Sequence, residues 1–147
     1  MPSTTVKDVM NPKVIVAKPQ ATIKEAAEIM SQLRIGCLLV MDDDKVVGIV
    51  TESDIIGKIV AKKKDPERVT VDEIMTKNII STTPDETLDD AAEKMVENKI
   101  KRLPVLDGGK LVGIITATDL ISFEPKMIET LSELFSMKSQ IGRTIAG

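Results

Sequence analysis

Two seven-residue stretches carry the side chains best suited to chemistry. Gly48-Ile49-Val50-Thr51-Glu52-Ser53-Asp54 recurs as Gly113-Ile114-Ile115-Thr116-Ala117-Thr118-Asp119. Each sets a hydroxyl three residues before a carboxylate, where an apolar run gives way to a helical pattern. One reading is structural: Thr-x-x-Asp is a helix N-cap with an acid at the third helical position. Thr22-x-x-Glu25 and Thr87-x-x-Asp90 show the same pattern in this chain. The other reading is a nucleotide site. Amides at a helix N-terminus favour a phosphate, and Thr51 or Thr116 would add a hydroxyl. Asp54 or Asp119 would accept from a ribose diol. Gly48 or Gly113 would let a ligand approach the strand backbone closely.

The rest of the composition narrows the chemistry. The 147 residues include no His, Trp or Tyr, two Phe and one Cys. No imidazole is available as base, nucleophile or metal ligand. Cys37 alone forms neither an intrachain disulfide nor a cysteine-based zinc site. Two aromatic rings make no stacking platform for bases, and a net charge of -3 makes no basic footprint. Nucleic acid and anionic membranes are therefore poor partners. No apolar run is long enough to span a bilayer, and the N-terminus has no signal-peptide pattern, so the expected location is cytoplasmic. The triplet Asp42-Asp43-Asp44 lacks calcium-loop spacing and reads as a turn. No metal, required cofactor or catalytic residue is expected; the checklist for an enzyme site finds no base or nucleophile constellation.

The two stretches belong to a gapless internal repeat. Val6-Lys7-Asp8-Val9-Met10 matches Val71-Asp72-Glu73-Ile74-Met75, Pro19 matches Pro84, and Ala26-Ala27-Glu28 matches Ala91-Ala92-Glu93. Two copies point to two units about a pseudo-two-fold axis rather than a solenoid. Each copy reads as a helical turn ending at Met, a strand (Val14 to Ala17; Ile79 to Thr82), and a helix after Pro19 or Pro84. A hairpin follows (Cys37 to Met41 with Lys45 to Val50; Leu103 to Leu106 with Lys110 to Ile115), then a last helix from Thr51 or Thr116. The fold class is thus α+β, two β-α-β-β-α units. The expected division is 1–65, 66–124 and a tail, 125–147. In that tail Met127, Ile128, Leu131, Leu134 and Phe135 lie at amphipathic helical spacing, and the helix packs on the module or on a second subunit.

These features together resemble a tandem pair of cystathionine β-synthase (CBS) domains, a Bateman module, over about residues 4 to 121. The resemblance rests on the Val-x-x-Val-Met and Val-x-x-Ile-Met openings, Pro19/Pro84 before the Ala-Ala helices, Arg102-Leu103-Pro104-Val105-Leu106-Asp107 and the Gly-Ile-x-Thr-x-x-Asp pair. It implies units packed through their sheets, flat homodimers, and two pseudo-symmetric clefts for adenine nucleotides (AMP, ADP or ATP) or S-adenosylmethionine-type compounds. Each cleft mixes both copies. Carried over by position, cleft A would use Thr116, Thr118, Asp119, Ile114 and Arg102 with Val14, Pro19, Ile35 and Gly36. Cleft B would use Thr51, Ser53, Asp54 and Ile49 with Ile79, Pro84, Ile100 and Lys101.

Arg102 aligns with Cys37. A guanidinium grips phosphate through charge-assisted bonds, and Cys37, read as a small buried hydrophobe, cannot. Cleft A is therefore the favoured site, with Lys101 a partial substitute in cleft B. The expected function is a stand-alone adenosine-ligand sensor acting on an unidentified effector protein. The alternative is a nucleotide-independent scaffold that docks a partner through the tail helix or dimer surface.

Overall fold

Each of the first helices starts where the sequence supplies a threonine with an acid three residues on. The computed structural model describes residues 4–136. Thr5, Thr22, Thr51, Thr70, Thr87 and Thr116 are the N-caps of α1 (Val6–Val9), α2 (Ile23–Leu33), α3 (Glu52–Ile55), α4 (Val71–Ile74), α5 (Leu88–Asn98) and α6 (Ala117–Phe123). Each forms a reciprocal capping box, which satisfies two amides that the helix leaves open. The two long helices end alike, at Arg34 and Lys99, both with φ 55°. A single-turn 3-10 helix (Pro125–Met127) then leads into α7 (Ile128–Ser136).

In the first copy, β1 (Val16–Ala17) runs parallel to β2 (Cys37–Asp42), which pairs antiparallel with β3 (Lys45–Thr51). The register sets Val16 opposite Leu39 and Cys37 opposite Thr51, with a bulge between Val40 and Met41. In the second copy, β4 (Arg102–Asp107) pairs with β5 (Lys110–Thr116). The turn between them has φ 59° at Gly108 and 84° at Gly109, conformations that glycine adopts without a Cβ clash.

The strand expected over Ile79 to Thr82 reduces to one parallel bridge, Thr82 to Val105. The cause is Pro104. In the first copy the aligned residue, Leu39, donates its N–H to the Ile15 carbonyl at 3.4 Å. Proline has no N–H to offer the equivalent Ile80. Only the Thr82 N–H to Pro104 carbonyl bond (3.0 Å) and the Leu106 N–H to Thr82 carbonyl bond (2.9 Å) remain. The first-copy strand is also shorter than the expected Val14 to Ala17.

The compact units of the fold are cut differently from the repeat. Among the described residues, one takes residues 4–12, Ile80–Asp107 and 112–136; the other takes Lys13–Ile79 with Gly108–Leu111. The opening turn α1 thus belongs with the second copy. Val6 donates to the Glu86 carbonyl (2.9 Å) and Lys7 to the Pro84 carbonyl (3.0 Å), and Val6 is fully buried beside Leu88, Ala92 and Met95. Its repeat mate α4 belongs with the first copy: Val71 donates to the Ala21 carbonyl (2.8 Å) and Asp72 to the Pro19 carbonyl (3.1 Å).

Each unit has its own core. Ile23, Met30, Leu38, Val40, Val50, Val71 and Ile74 fill one. The other is built from Met95, Leu103, Val105, Ile115 and Leu120, extended by Met127, Leu131 and Leu134 of the tail. The described part of the tail therefore packs on the second-copy core, as its apolar spacing implies. Ile128 (54% exposed) and Phe135 (36%) stay at the surface. The remainder of the expected tail, 137–147, lies outside the described residues. Leu33 is half exposed as the last residue of α2.

Candidate functional site

Both Gly-Ile-x-Thr-x-x-Asp stretches lie where a strand passes directly into a helix. In the second copy Asp119 Oδ2 accepts the Thr116 N–H at 2.9 Å, and Thr116 Oγ1 accepts the Asp119 N–H at 3.0 Å. In the first copy Asp54 Oδ2 accepts the Thr51 N–H at 2.9 Å, and Thr51 Oγ1 accepts the Asp54 N–H at 3.3 Å. The cap reading is therefore realised in both copies. It leaves one carboxylate oxygen of each aspartate outside the box.

Two functional expectations need correction here. The helix N-termini, expected from the sequence to offer open amides to a phosphate, are partly occupied. In each copy the first helical N–H is already taken: Glu52 donates to the Gly36 carbonyl at 3.0 Å and Ala117 to the Lys101 carbonyl at 2.8 Å. The third is taken by the threonine. Gly48 and Gly113, expected to let a ligand approach the strand backbone, do not leave open space. Both are buried, and methionines fill the space a Cβ would occupy: Met75 lies over Gly48, and Met10 Sδ would be 2.6 Å from a Cβ at residue 113.

The members assigned to each cleft are distributed over both units. Of cleft A, Arg102, Ile114, Thr116, Thr118 and Asp119 belong to one unit and Val14, Pro19, Ile35 and Gly36 to the other. Of cleft B, Pro84, Ile100 and Lys101 belong to the first of these, and Ile49, Thr51, Ser53, Asp54 and Ile79 to the second. Ile114 is bonded to Asn11 through both backbone groups (3.0 and 2.8 Å), and Ile49 to Thr76 in the same way (3.0 and 2.9 Å). Pro19 is buried, whereas Val14, Ile35, Gly36, Ile79, Pro84 and Ile100 are half-buried. Thr118 and Ser53 are exposed. Thr118 lines a groove of about 380 Å³ with Ile121, Ser122, Ile128, Ser132 and Phe135, so its surroundings are those of the tail helix.

The charged members differ from the simple expectation. Arg102 is half-buried at the first position of β4. Lys101 Nζ sits 5.1 Å from the centre of the Phe135 ring, a cation–π contact with the tail. Cys37, expected to be buried, is only partly so: it begins β2, at the end of its strand pair with Thr51.

The two aspartates are not equivalent. Lys58 Nζ lies 3.2 Å from Asp54 Oδ1 and also donates to the Ile74 carbonyl at 2.7 Å. The residue aligned with Lys58 is Phe123. Among the described residues no cation pairs with Asp119, and no group of His, Cys, Asp and Glu is placed to hold a metal ion. No helix among the described residues is long and apolar enough to cross a membrane. Sequence reasoning missed Lys58, although the Lys58/Phe123 mismatch was visible within an otherwise close repeat.

Comparison with known proteins places this geometry in context. The family model described as CBS domain matches residues 6–61 and again 71–126. The CBS domain-containing protein YhcV of Bacillus subtilis is 35% identical over 117 residues, covering 80% of this chain and 83% of YhcV. Homoserine O-acetyltransferase of Methanohalobium evestigatum is 40% identical over 119 residues, covering 80% of this chain but only 23% of that enzyme. Among solved structures, the CBS domain pair of protein MJ0100, in complex with 5′-methylthioadenosine and S-adenosyl-L-methionine, superposes with a TM-score of 0.73. It is 36% identical, covering 94% of this chain and 100% of that one.

Proposed function

Because the chain belongs to the CBS-domain family, as a tandem pair, we propose that it is a regulatory module binding an adenosine-type ligand rather than an enzyme. The ligand class is AMP, ADP, ATP or an S-adenosylmethionine-type compound, bound with its ribose diol on Asp119. The observation that carries this reading is the state of that side chain. Asp119 is half-buried at the third position of α6, pinned through Oδ2 by the Thr116 N–H, and unpaired with any cation among the described residues. A carboxylate held by its backbone and open at one oxygen is pre-organised to accept two hydroxyl donors. Arg102 adds a cation for a phosphorylated ligand.

Two comparisons support the reading. A similar CBS pair is a complex with two adenosyl compounds. The match to an acetyltransferase covers a minor part of that enzyme, as a regulatory appendage would. Binding alters an effector only if the ligand has different affinities for two arrangements of the module. The expected assembly is a homo-oligomer in the cytoplasm, with the effector a separate protein. Native mass spectrometry of freshly purified protein tests this. The expected spectrum shows a retained adenosine-type mass, or uptake of added AMP or S-adenosylmethionine. Absence of uptake at millimolar concentrations of both would overturn it.

A second reading has one observation in its favour. The groove between α6 and α7 is walled by Ile121, Ile128 and Phe135, with little polar surface. A scaffold that docks a partner through the tail helix would use such a face. Partner capture that survives Asp119→Ala but not Ile128→Asp would favour it.

A further inference from the structure

The two copies share the Gly-Ile-x-Thr-x-x-Asp turn but not what lies one helical turn beyond it. After α3 the first-copy chain widens into a π-helical turn, Ile56–Val60, in which Ala61 donates to the Ile56 carbonyl at 2.8 Å. Lys58 sits in this turn. Its ammonium meets Asp54 Oδ1 at 3.2 Å and the Ile74 carbonyl, at the end of α4, at 2.7 Å. The same carboxylate already accepts the Thr51 N–H (2.9 Å) and the Thr51 hydroxyl (3.2 Å) through Oδ2. Both oxygens of Asp54 are therefore engaged. Its side chain is only 13% exposed. The second copy continues as a regular helix to Phe123, which is aligned with Lys58 and carries no charge.

We infer that Lys58 acts as an internal occupant of the first-copy carboxylate, closing Asp54 to ligand and leaving Asp119 as the single ribose-binding acid of the chain. The inference rests on the proposed ribose role of Asp119. The physical argument is competition. A diol reaching Asp54 must displace an ammonium that is anchored at a second point, on a carbonyl that the end of α4 leaves open. It would give up an ion pair at a sheltered carboxylate for hydroxyl bonds to the same carboxylate, which bring no counter-charge. At Asp119 no such cation stands in the way among the described residues. Lys58 is thus a specificity-determining residue that sets stoichiometry, not a ligand contact.

The test is calorimetric titration of AMP and of S-adenosylmethionine into the full chain, for the wild type, Lys58→Phe and Lys58→Met. Circular dichroism checks that each variant is folded, and Lys58→Met keeps the aliphatic stem should the aromatic replacement disturb the π-turn. The expected result is one site per chain in the wild type and two in the variants, with the added site abolished by Asp54→Ala. A wild type with two equal sites, or folded variants that still bind once, overturns the inference while leaving the ligand reading intact. Loss of the wild-type site on Lys58 substitution also overturns it, since Lys58 would then be a contact. If neither wild type nor variants bind either probe, the reading of Asp119 fails and this inference falls with it.

Discussion

Met10 Sδ lies over the backbone of Gly113, so that a methyl group at residue 113 would stand 2.6 Å from the sulfur and 3.1 Å from the Asn11 carbonyl oxygen. The contact joins the end of α1 to β5, and Met75 repeats it over Gly48. The glycines serve packing. Gly113→Ala should destabilise the chain by about 1–3 kcal/mol, the usual cost of overpacking, as measured by urea unfolding. Met10→Ala should relieve most of that penalty in a double-mutant cycle. An alanine at residue 113 that leaves the midpoint unchanged would contradict the contact.

Thr82 is fully buried and its hydroxyl has no hydrogen-bond partner among the described residues. Its backbone is paired on both sides with β4. Replacing the hydroxyl by a methyl of similar shape removes a desolvated polar group, so Thr82→Val should raise stability by about 1 kcal/mol. Chemical denaturation measures it. A loss of stability would show that the hydroxyl finds a partner in solution.

Glu25 closes the α2 capping box. Backbone and side-chain hydrogen bonds from Thr22 hold its carboxyl below the ordinary value of 4.5. A carboxyl with a lowered folded-state pKa contributes stability above its unfolded value and loses it as pH falls through the folded one. Glu25→Gln should therefore be less stable than the wild type at pH 7, and the difference should shrink below pH 4.5. A gap that is constant down to pH 3 would contradict the box.

Much of this architecture was legible because its signals are local. The Thr-x-x-acid pattern marked helix starts at Thr22, Thr51, Thr87 and Thr116, and each is a capped helix. The spacing of Met127, Leu131 and Leu134 gave the buried face of the tail. What escaped depended on long-range pairing. Nothing in Val6-Lys7-Asp8-Val9-Met10 shows that its amides bond Glu86 and Pro84 rather than its own copy. The role of Gly113 as the seat of Met10 is equally remote in sequence. Pro104 was part of the recognised motif, yet its effect on the neighbouring strand needed the register. A lone lysine on a helix surface is ordinarily solvated; the meaning of Lys58 lies in the 3.2 Å approach to Asp54.

The account stands most directly on Asp119. Titration of AMP and S-adenosylmethionine into wild type, Asp119→Ala and Asp54→Ala, followed by calorimetry, measures its role. Hydrogen bonds to a charged group contribute about 1.5–3 kcal/mol, so Asp119→Ala should weaken binding by roughly one to two orders of magnitude. Asp54→Ala should leave the affinity within about twofold, as expected for a residue outside the occupied site. Binding that survives Asp119→Ala unchanged, or that is lost in Asp54→Ala instead, would contradict the account.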